Sequence, residues 1–359
     1  MSDNSSQASW SGKISNIHQL GGIETSVLDN GTGRGVGIAW VNTGTGLRYK
    51  VVIDRAMDIA EAFFNEHSLA WISHTGVVPP NPAANTGLEW LRTFGGGLLT
   101  TCGLSHTGPP ETNETGDHGI HGRISNLPAE IISVIQPDIN SGNPEMSITG
   151  ITREFRMFGP VLEMKRTISS RLGEAKISIR DEIRNCGNQP VPHMMLYHFN
   201  CGWPLVDEGS SILWKGEWKS CGRKMDDAIF REGNNFNTCP PPLESHEGGG
   251  EACGFIRIKP DVKGSCTCAL HNPGLGIAFV LKYKESQLPW FTNWQHWGKG
   301  EYVTGLEPGT NPPIGQQKAR EQGELVIIQP GDSTHYEIDI DVLDNEADIN
   351  ELKDHINNL

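Results

Sequence analysis

The runs Val161-Leu-Glu-Met-Lys-Arg-Thr-Ile168 and Ala175-Lys-Ile-Ser-Ile-Arg-Asp-Glu-Ile183 alternate apolar and polar side chains. A period of two sends successive side chains to opposite faces of an extended chain and matches no helix. Both runs predict antiparallel strands, the second with Ala175, Ile177 and Ile179 on one face. Shorter β-prone runs recur at Gly35–Val41, Tyr49–Met57, Gly254–Ile258, Gly276–Tyr283, Glu324–Ile328 and Tyr336–Val342. Asn30-Gly31, between Thr25–Leu28 and Gly35–Val41, carries the strongest hairpin signal. The 43 glycines and 22 prolines punctuate these segments without forming a repeat, as a β-rich chain with many turns requires. Beyond Asp344, the positions Ile349, Leu352, Ile356 and Leu359 trace one helical face, so a short capping helix is expected. At 359 residues two domains are conceivable, but large all-β folds also exceed 200 residues as one unit. The expectation is a flexible polar tail over 1–12 and a single domain over 13–359. Residues 207–252 are polar, with acidic Glu244, Glu247 and Glu251, and suggest a long excursion or lid.

The formal net charge of -14 argues against nucleic acid or an anionic membrane surface as partner, since either needs clustered Lys and Arg. A small neutral or cationic ligand fits better. The start, Met1-Ser-Asp-Asn-Ser-Ser-Gln7, has neither a basic stretch nor an apolar core, and no run of 18 apolar residues occurs. The eight cysteines show no CxxC spacing, and Cys266 and Cys268 would share a strand face in poor disulfide geometry. These features lead us to expect a cytoplasmic protein with reduced thiols, and they are compatible with a homodimer.

Pro192-His-Met-Met-Leu-Tyr-His-Phe-Asn-Cys-Gly-Trp-Pro-Leu205 reads as a strand that leaves the core for an open mouth. Met194, Met195, Leu196 and Phe199 supply a packed interior, while Tyr197, His198, Asn200 and Trp203 add polar and stacking groups. Taken alone, His198 reads first as a buried imidazole satisfied by backbone carbonyls. A second stretch, Gly305-Leu-Glu-Pro-Gly-Thr-Asn-Pro-Pro313, pins one carboxylate, Glu307, between Leu306 and Pro308. One imidazole and one such carboxylate make a general acid and a general base.

Around them stand further candidates. Arg55, after the buried-looking Val51-Val52-Ile53, either pairs with Asp54 at the surface or faces a pocket. The three glycines after Phe94 are not followed by Gly-Lys-Ser/Thr, so they let the backbone approach another strand or a ligand rather than cradle phosphate. His118-Gly-Ile-His-Gly-Arg123 places two histidines and an arginine together, but no Cys or carboxylate completes a zinc pattern. Hydrogen bonding of His121 and the forked Arg123 to ligand hydroxyls is the preferred reading. Leu288–Gly298 holds three tryptophans and a histidine, among which Asn293 and Trp294 offer an amide and a stacking face, although core packing is the ordinary use of such residues.

Five stretches together resemble the galactose mutarotase-like superfamily, in particular aldose 1-epimerase-like proteins of the DUF4432 type. They are Arg55-Ala-Met-Asp58, Phe94-Gly-Gly-Gly-Leu-Leu-Thr-Thr-Cys-Gly103, His121-Gly-Arg-Ile-Ser-Asn-Leu-Pro-Ala129, Leu196-Tyr-His-Phe-Asn200 and Gly305-Leu-Glu-Pro308. The resemblance implies an all-β supersandwich of large antiparallel sheets with few short helices, and a monosaccharide-type substrate in a cleft on one sheet. It implies His198 as general acid, Glu307 as general base, and Arg55, His121, Arg123, Asn200, Asn293 and Trp294 as substrate contacts, with no cofactor. Arg123 directly after His121-Gly122 departs from the classical mutarotase pattern, which bears on substrate identity. Two rival readings use the same residues: a sugar-binding or sensing protein without turnover, and a metal-dependent sugar isomerase built on His106, His118, His121 and His198.

Overall fold

The computed structural model describes residues 12–138 and 140–359. The expected tail over 1–12 therefore lies, except for Gly12, outside the described residues. The alternating runs form strands as expected. In Val161–Arg171 the buried set is Leu162, Met164, Arg166, Ile168 and Ser170, and in Lys176–Asn185 it is Ile177, Ile179, Asp181, Ile183 and Asn185.

These strands sit in an eight-stranded antiparallel sheet. Its spatial order is Ser211–Leu213, Ser265–Asn272, Ile277–Lys284, Ser333–Leu343, Lys176–Asn185, Val161–Arg171, Glu145–Phe155 and Glu130–Ile135. A second, eleven-stranded sheet runs Gly22–Val27, Gly37–Asn42, Leu47–Val52, Asp58–Phe64, Leu99–Cys102, Leu196–Gly202, Glu301–Gly309, Trp290–Gly298, Ala252–Ile258 and Gly216–Ser220, with His67–Ser68 beside Asp58–Phe64. Ile148, Met164 and Ile179 of the smaller sheet and Tyr49, Phe199 and Leu306 of the larger share one apolar cluster. Each such side chain contributes about 1.5–3 kcal/mol on burial.

The layer between the sheets is not wholly apolar. Arg166 is fully buried and forks onto Asp181 at 2.9 and 2.7 Å, and it donates to Thr101 Oγ1 at 2.8 Å across the gap. Tyr197 donates to the same Asp181 at 2.6 Å, and Thr101 donates to Asp58 at 2.6 Å. Charged groups thus tie the smaller sheet to the centre of the larger one.

The capping helix forms over Glu346–Asn357, with Asn345 as its N-cap, and lays Ile349, Leu352 and Ile356 on Ala269, Ala278 and Val280. Two expectations change. The strand read over Tyr49–Met57 ends at Val52, because Ala56 and Met57 take positive φ (53° and 59°) and turn the chain. Residues 207–252 do not stand off as a lid: Ser211–Leu213 joins one sheet and Gly216–Ser220 the other. All eight cysteines are free. Among the described residues no helix is long and apolar enough to cross a membrane.

Candidate active site

Every residue of the central strand Leu196–Gly202 is buried. Tyr197 and Phe199 belong to the inter-sheet core, so His198 and Asn200 face the other side of the larger sheet. The ladder that pairs Phe199 with Leu306 and Asn200 with Gly305 brings Glu307 alongside His198. His198 Nε2 lies 3.3 Å from Glu307 Oε1, close but out of line for a hydrogen bond. Gly305 makes this approach possible, since a Cβ there would sit 2.2 Å from Glu307 Oε1.

Aromatic rings enclose the pair. Trp294 is 5.4 Å and Phe94 5.5 Å from the His198 ring, both edge-on, and His121 stands perpendicular at 6.0 Å. Trp71 bridges Phe94 and Trp294, and Trp90 stacks on Phe94 at 4.4 Å. In this dry setting burial pushes Glu307 well above the ordinary carboxylate range, with the nearby charge of Glu251 adding to it. Burial likewise pushes His198 down to about 3, helped by His121. Both shifts favour the neutral forms, an arrangement in which the pair's exchangeable proton rests on the carboxyl. His198 Nδ1, Asn200 Oδ1 and Glu307 Oε1 are buried and have no hydrogen-bond partner in the protein. Buried polar atoms are rarely left so.

The rim comes from a segment that the sequence reading left without a role. Glu251 accepts from Trp294 Nε1 at 2.8 Å and from Arg223 at 2.6 Å. Arg223 in turn forks onto the buried Asp226 at 2.9 and 2.8 Å, and Asp226 also accepts from Cys253 N. The usable signal was Glu251 directly after Gly248-Gly-Gly250 and directly before a strand.

His198, Glu307, Asn200, Trp294 and His121 are thus brought together. Asn293 is not: it follows its neighbours' alternation to the opposite face from Trp294. There it donates to Thr304 Oγ1 and Gly305 O, both at 2.9 Å, and accepts from Gln295. Of the other two tryptophans, Trp297 turns into the core and Trp290 lies under Arg257 at 4.0 Å. Arg55 does not pair with Asp54, which accepts from Gly37 N at 2.9 Å. Its guanidinium is buried and donates to the carbonyls of Ser125, Thr93 and Val78. Arg123 is half-buried beside His118, whose pKa its charge helps to lower. The glycines after Phe94 serve backbone packing: Gly97 has φ 91°, and a Cβ there would lie 2.8 Å from Ile59 O.

The four histidines of the metal-dependent reading do not converge. His106 and His118 stack on each other at 5.0 Å, with ring nitrogens bonded to Pro109 O and Thr115 Oγ1, whereas His121 faces His198. Among the described residues no group of three or more His, Cys, Asp or Glu is placed to hold a metal ion.

A family model described as a domain of unknown function, DUF4432, matches residues 33–342. No curated protein matches the chain. A crystal structure from Klebsiella pneumoniae, provisionally named an aldose 1-epimerase, superposes with TM-score 0.86 at 24% identity, covering 96% of this chain and 90% of that one. A galactose mutarotase-like protein from Clostridium acetobutylicum gives TM-score 0.57 at 11% identity over 89% and 98% of the two chains. A provisionally named aldose 1-epimerase from Escherichia coli K12 gives 0.57 at 12% over 83% and 96%. These likenesses show the fold, a galactose mutarotase-like β-supersandwich.

Proposed function

The chain belongs to the DUF4432 family, and on that premise we propose that it is a sugar isomerase that interconverts the anomers of an aldose. The observation that carries this reading is the patch of buried, partnerless polar atoms on His198, Asn200 and Glu307 inside an aromatic box. Such a box suits the C–H face of a sugar ring, and the polar atoms suit its hydroxyls.

Anomer exchange requires a base at the O1 hydroxyl and an acid at the ring oxygen. Glu307 as carboxylate takes the O1 proton while His198 as imidazolium gives one to the ring oxygen. The C1–O5 bond breaks, C1 becomes an aldehyde, and rotation about C1–C2 followed by the reverse transfers closes the other anomer. The neutral resting pair and this ion pair contain the same number of protons and differ by one transfer across 3.3 Å. Hydrogen bonds from the sugar to Glu307 and from His198 to the ring oxygen stabilise the charged arrangement. The C1–O5 bond breaks and re-forms with no change of oxidation level, and the acid and base carry the protons, so the reaction itself asks for no metal or redox cofactor. Saturation transfer between α and β anomeric protons, across a panel of monosaccharides, tests the proposal. Saturable binding with no acceleration of exchange would leave a sugar-binding protein instead.

The pair also fixes a pH profile. Activity ends in acid when His198 takes a proton beside an already protonated Glu307, and His198 is pushed down to about 3. It ends in alkali when the shared proton is lost, and Glu307 is pushed well above its ordinary value. The rate above the spontaneous background is therefore expected to be flat through mildly acidic and neutral pH. An acid limb at the unperturbed imidazole value of 6.5 would contradict this placement of the proton.

Gly305→Ala probes the approach of the two groups. A methyl group 2.2 Å from Oε1 must displace the carboxylate, and a misplacement of about 1 Å costs roughly 10²-fold in rate. Thermal unfolding should show a folded protein with a modestly lower midpoint, since the new methyl also lies 3.1 Å from the Trp294 Cβ, against which the better strand propensity of Ala is a small gain. Full activity in this variant would mean that Glu307 is not the base.

A further inference from the structure

We infer that Cys221 and Cys253 form a modification site, a pair of thiols that hydrogen peroxide converts into a reversible disulfide at the rim of the cleft. The inference does not depend on the isomerase reading. Strands Gly216–Ser220 and Ala252–Ile258 pair antiparallel with Ser220 opposite Gly254, so one further step puts Cys221 opposite Cys253. A bond of 3.1 Å from Cys221 N to Cys253 O continues that register. Residues in such a hydrogen-bonded pair share a face and have Cα atoms about 5.5 Å apart, within the range that a disulfide spans. The ladder is open on one side here, because Cys253 N bonds to the Asp226 carboxylate at 2.8 Å and not back to Cys221. The strand ends can therefore adjust to seat the bond.

Accessibility separates these two from the other cysteines. Cys102, Cys201, Cys239, Cys266 and Cys268 are buried, and the exposed Cys186 follows a strand of the smaller sheet, whereas Cys221 and Cys253 are both half-buried at one corner of the larger. Cys253 is opposite Trp294 in the next ladder, so the thiols lie on the face that carries the acid–base pair. Arg223 Nη2 is 3.7 Å from Cys253 Sγ. The neighbouring Cys221 thiol, burial and the charges of Glu251 and Glu307 push Cys253 well above the ordinary thiol range. Cys253 is thus the poorer nucleophile, and the attack falls to Cys221. Its sulfur takes one oxygen as the peroxide O–O bond breaks, the other oxygen leaves as water, and a sulfenic acid results. The Cys253 thiol then attacks that sulfur, gives up its proton and displaces a second water. Two thiols are oxidised to one disulfide, and one hydrogen peroxide is reduced to two waters. The bond closes a loop over residues 222–252. That loop holds Asp226, Arg223 and Glu251, the chain of charges that ends on Trp294 Nε1. Oxidation therefore fastens the wall on which Trp294 rests.

The test treats the whole reduced chain, freed of reductant, with hydrogen peroxide and maps its peptides by mass without reduction. The expected product is a cross-link between the Cys221 and Cys253 peptides, lighter by two hydrogens than the separate thiols and reversed by dithiothreitol. Closing the loop should raise the thermal midpoint by about 5 °C. Cys221→Ser and Cys253→Ser should each abolish both the cross-link and the rise. The map of the wild type needs neither variant, so a variant that fails to fold does not close the question. Cys221 and Cys253 that remain thiols, pass separately to sulfinic acids, or pair with other cysteines overturn the inference. A cross-link without a rise in the midpoint overturns the fastening of the wall.

Discussion

Glu307→Gln is expected to lower the accelerated anomeric exchange by about 10²–10⁴-fold, the usual contribution of a positioned acid or base. Gln keeps the shape of the side chain and its hydrogen-bonding atoms but cannot take the O1 proton. Because burial favours the neutral form of this carboxyl, an amide is a close mimic and the fold should be unaffected, which thermal unfolding will show. Loss should fall on kcat more than on KM, since the aromatic box that holds the ring is unchanged. His198→Gln should cost a similar factor, and the double variant little more than either single one, because the two groups share a proton. Equal exchange by wild type and Glu307→Gln would remove the assignment of the base and leave His198 without its partner.

Arg166→Met should destabilise the protein by about 3–5 kcal/mol, the cost of stranding one member of a buried ion pair. Asp181 would keep only the Tyr197 hydroxyl, and Thr101 would lose its guanidinium donor. Urea unfolding gives the number directly. Pairing the change with Asp181→Leu should recover part of the loss, since it removes one of the two buried carboxylates that the guanidinium faces; the other, Asp58 at 3.4 Å, remains and keeps its bonds from Thr101. A loss below about 1 kcal/mol for the single variant would show that water or a rearranged side chain reaches Asp181.

Much of this was legible in the chain. Period-two patterning marked the long strands around 161–183, and a helical stripe marked Glu346–Asn357, because both depend on neighbours within a few positions. His198 and Glu307 stood out through local context, polar groups set in apolar strands, although only the resemblance placed them in one site. The same alternation carried information left unused. It sends Arg166 and Asp181 inward beside Met164 and Ile179, and it forbids Asn293 and Trp294 from serving one face. Glu251 carried a local hint in its place between Gly248-Gly-Gly250 and a strand, but nothing local put it or Arg223 at the rim. They arrive at the rim because Ala252–Ile258 pairs with Trp290–Gly298, a register set by sheet order and by no local pattern. Arg55 eluded a firm reading because the positive φ of Ala56 and Met57 ends its strand early.

Tyr197 and His198 are consecutive, and the pleat gives the first to the charged weld between the sheets and the second to the chemistry. Heat resistance and turnover are consequently demands on the same few ångströms of backbone. A substitution that loosens the weld also shifts the imidazole, so the floor of the cleft has little room to drift. Taste for one sugar over another can change only where the walls are hung from loops and outer strands, at some distance from the atoms that exchange the proton.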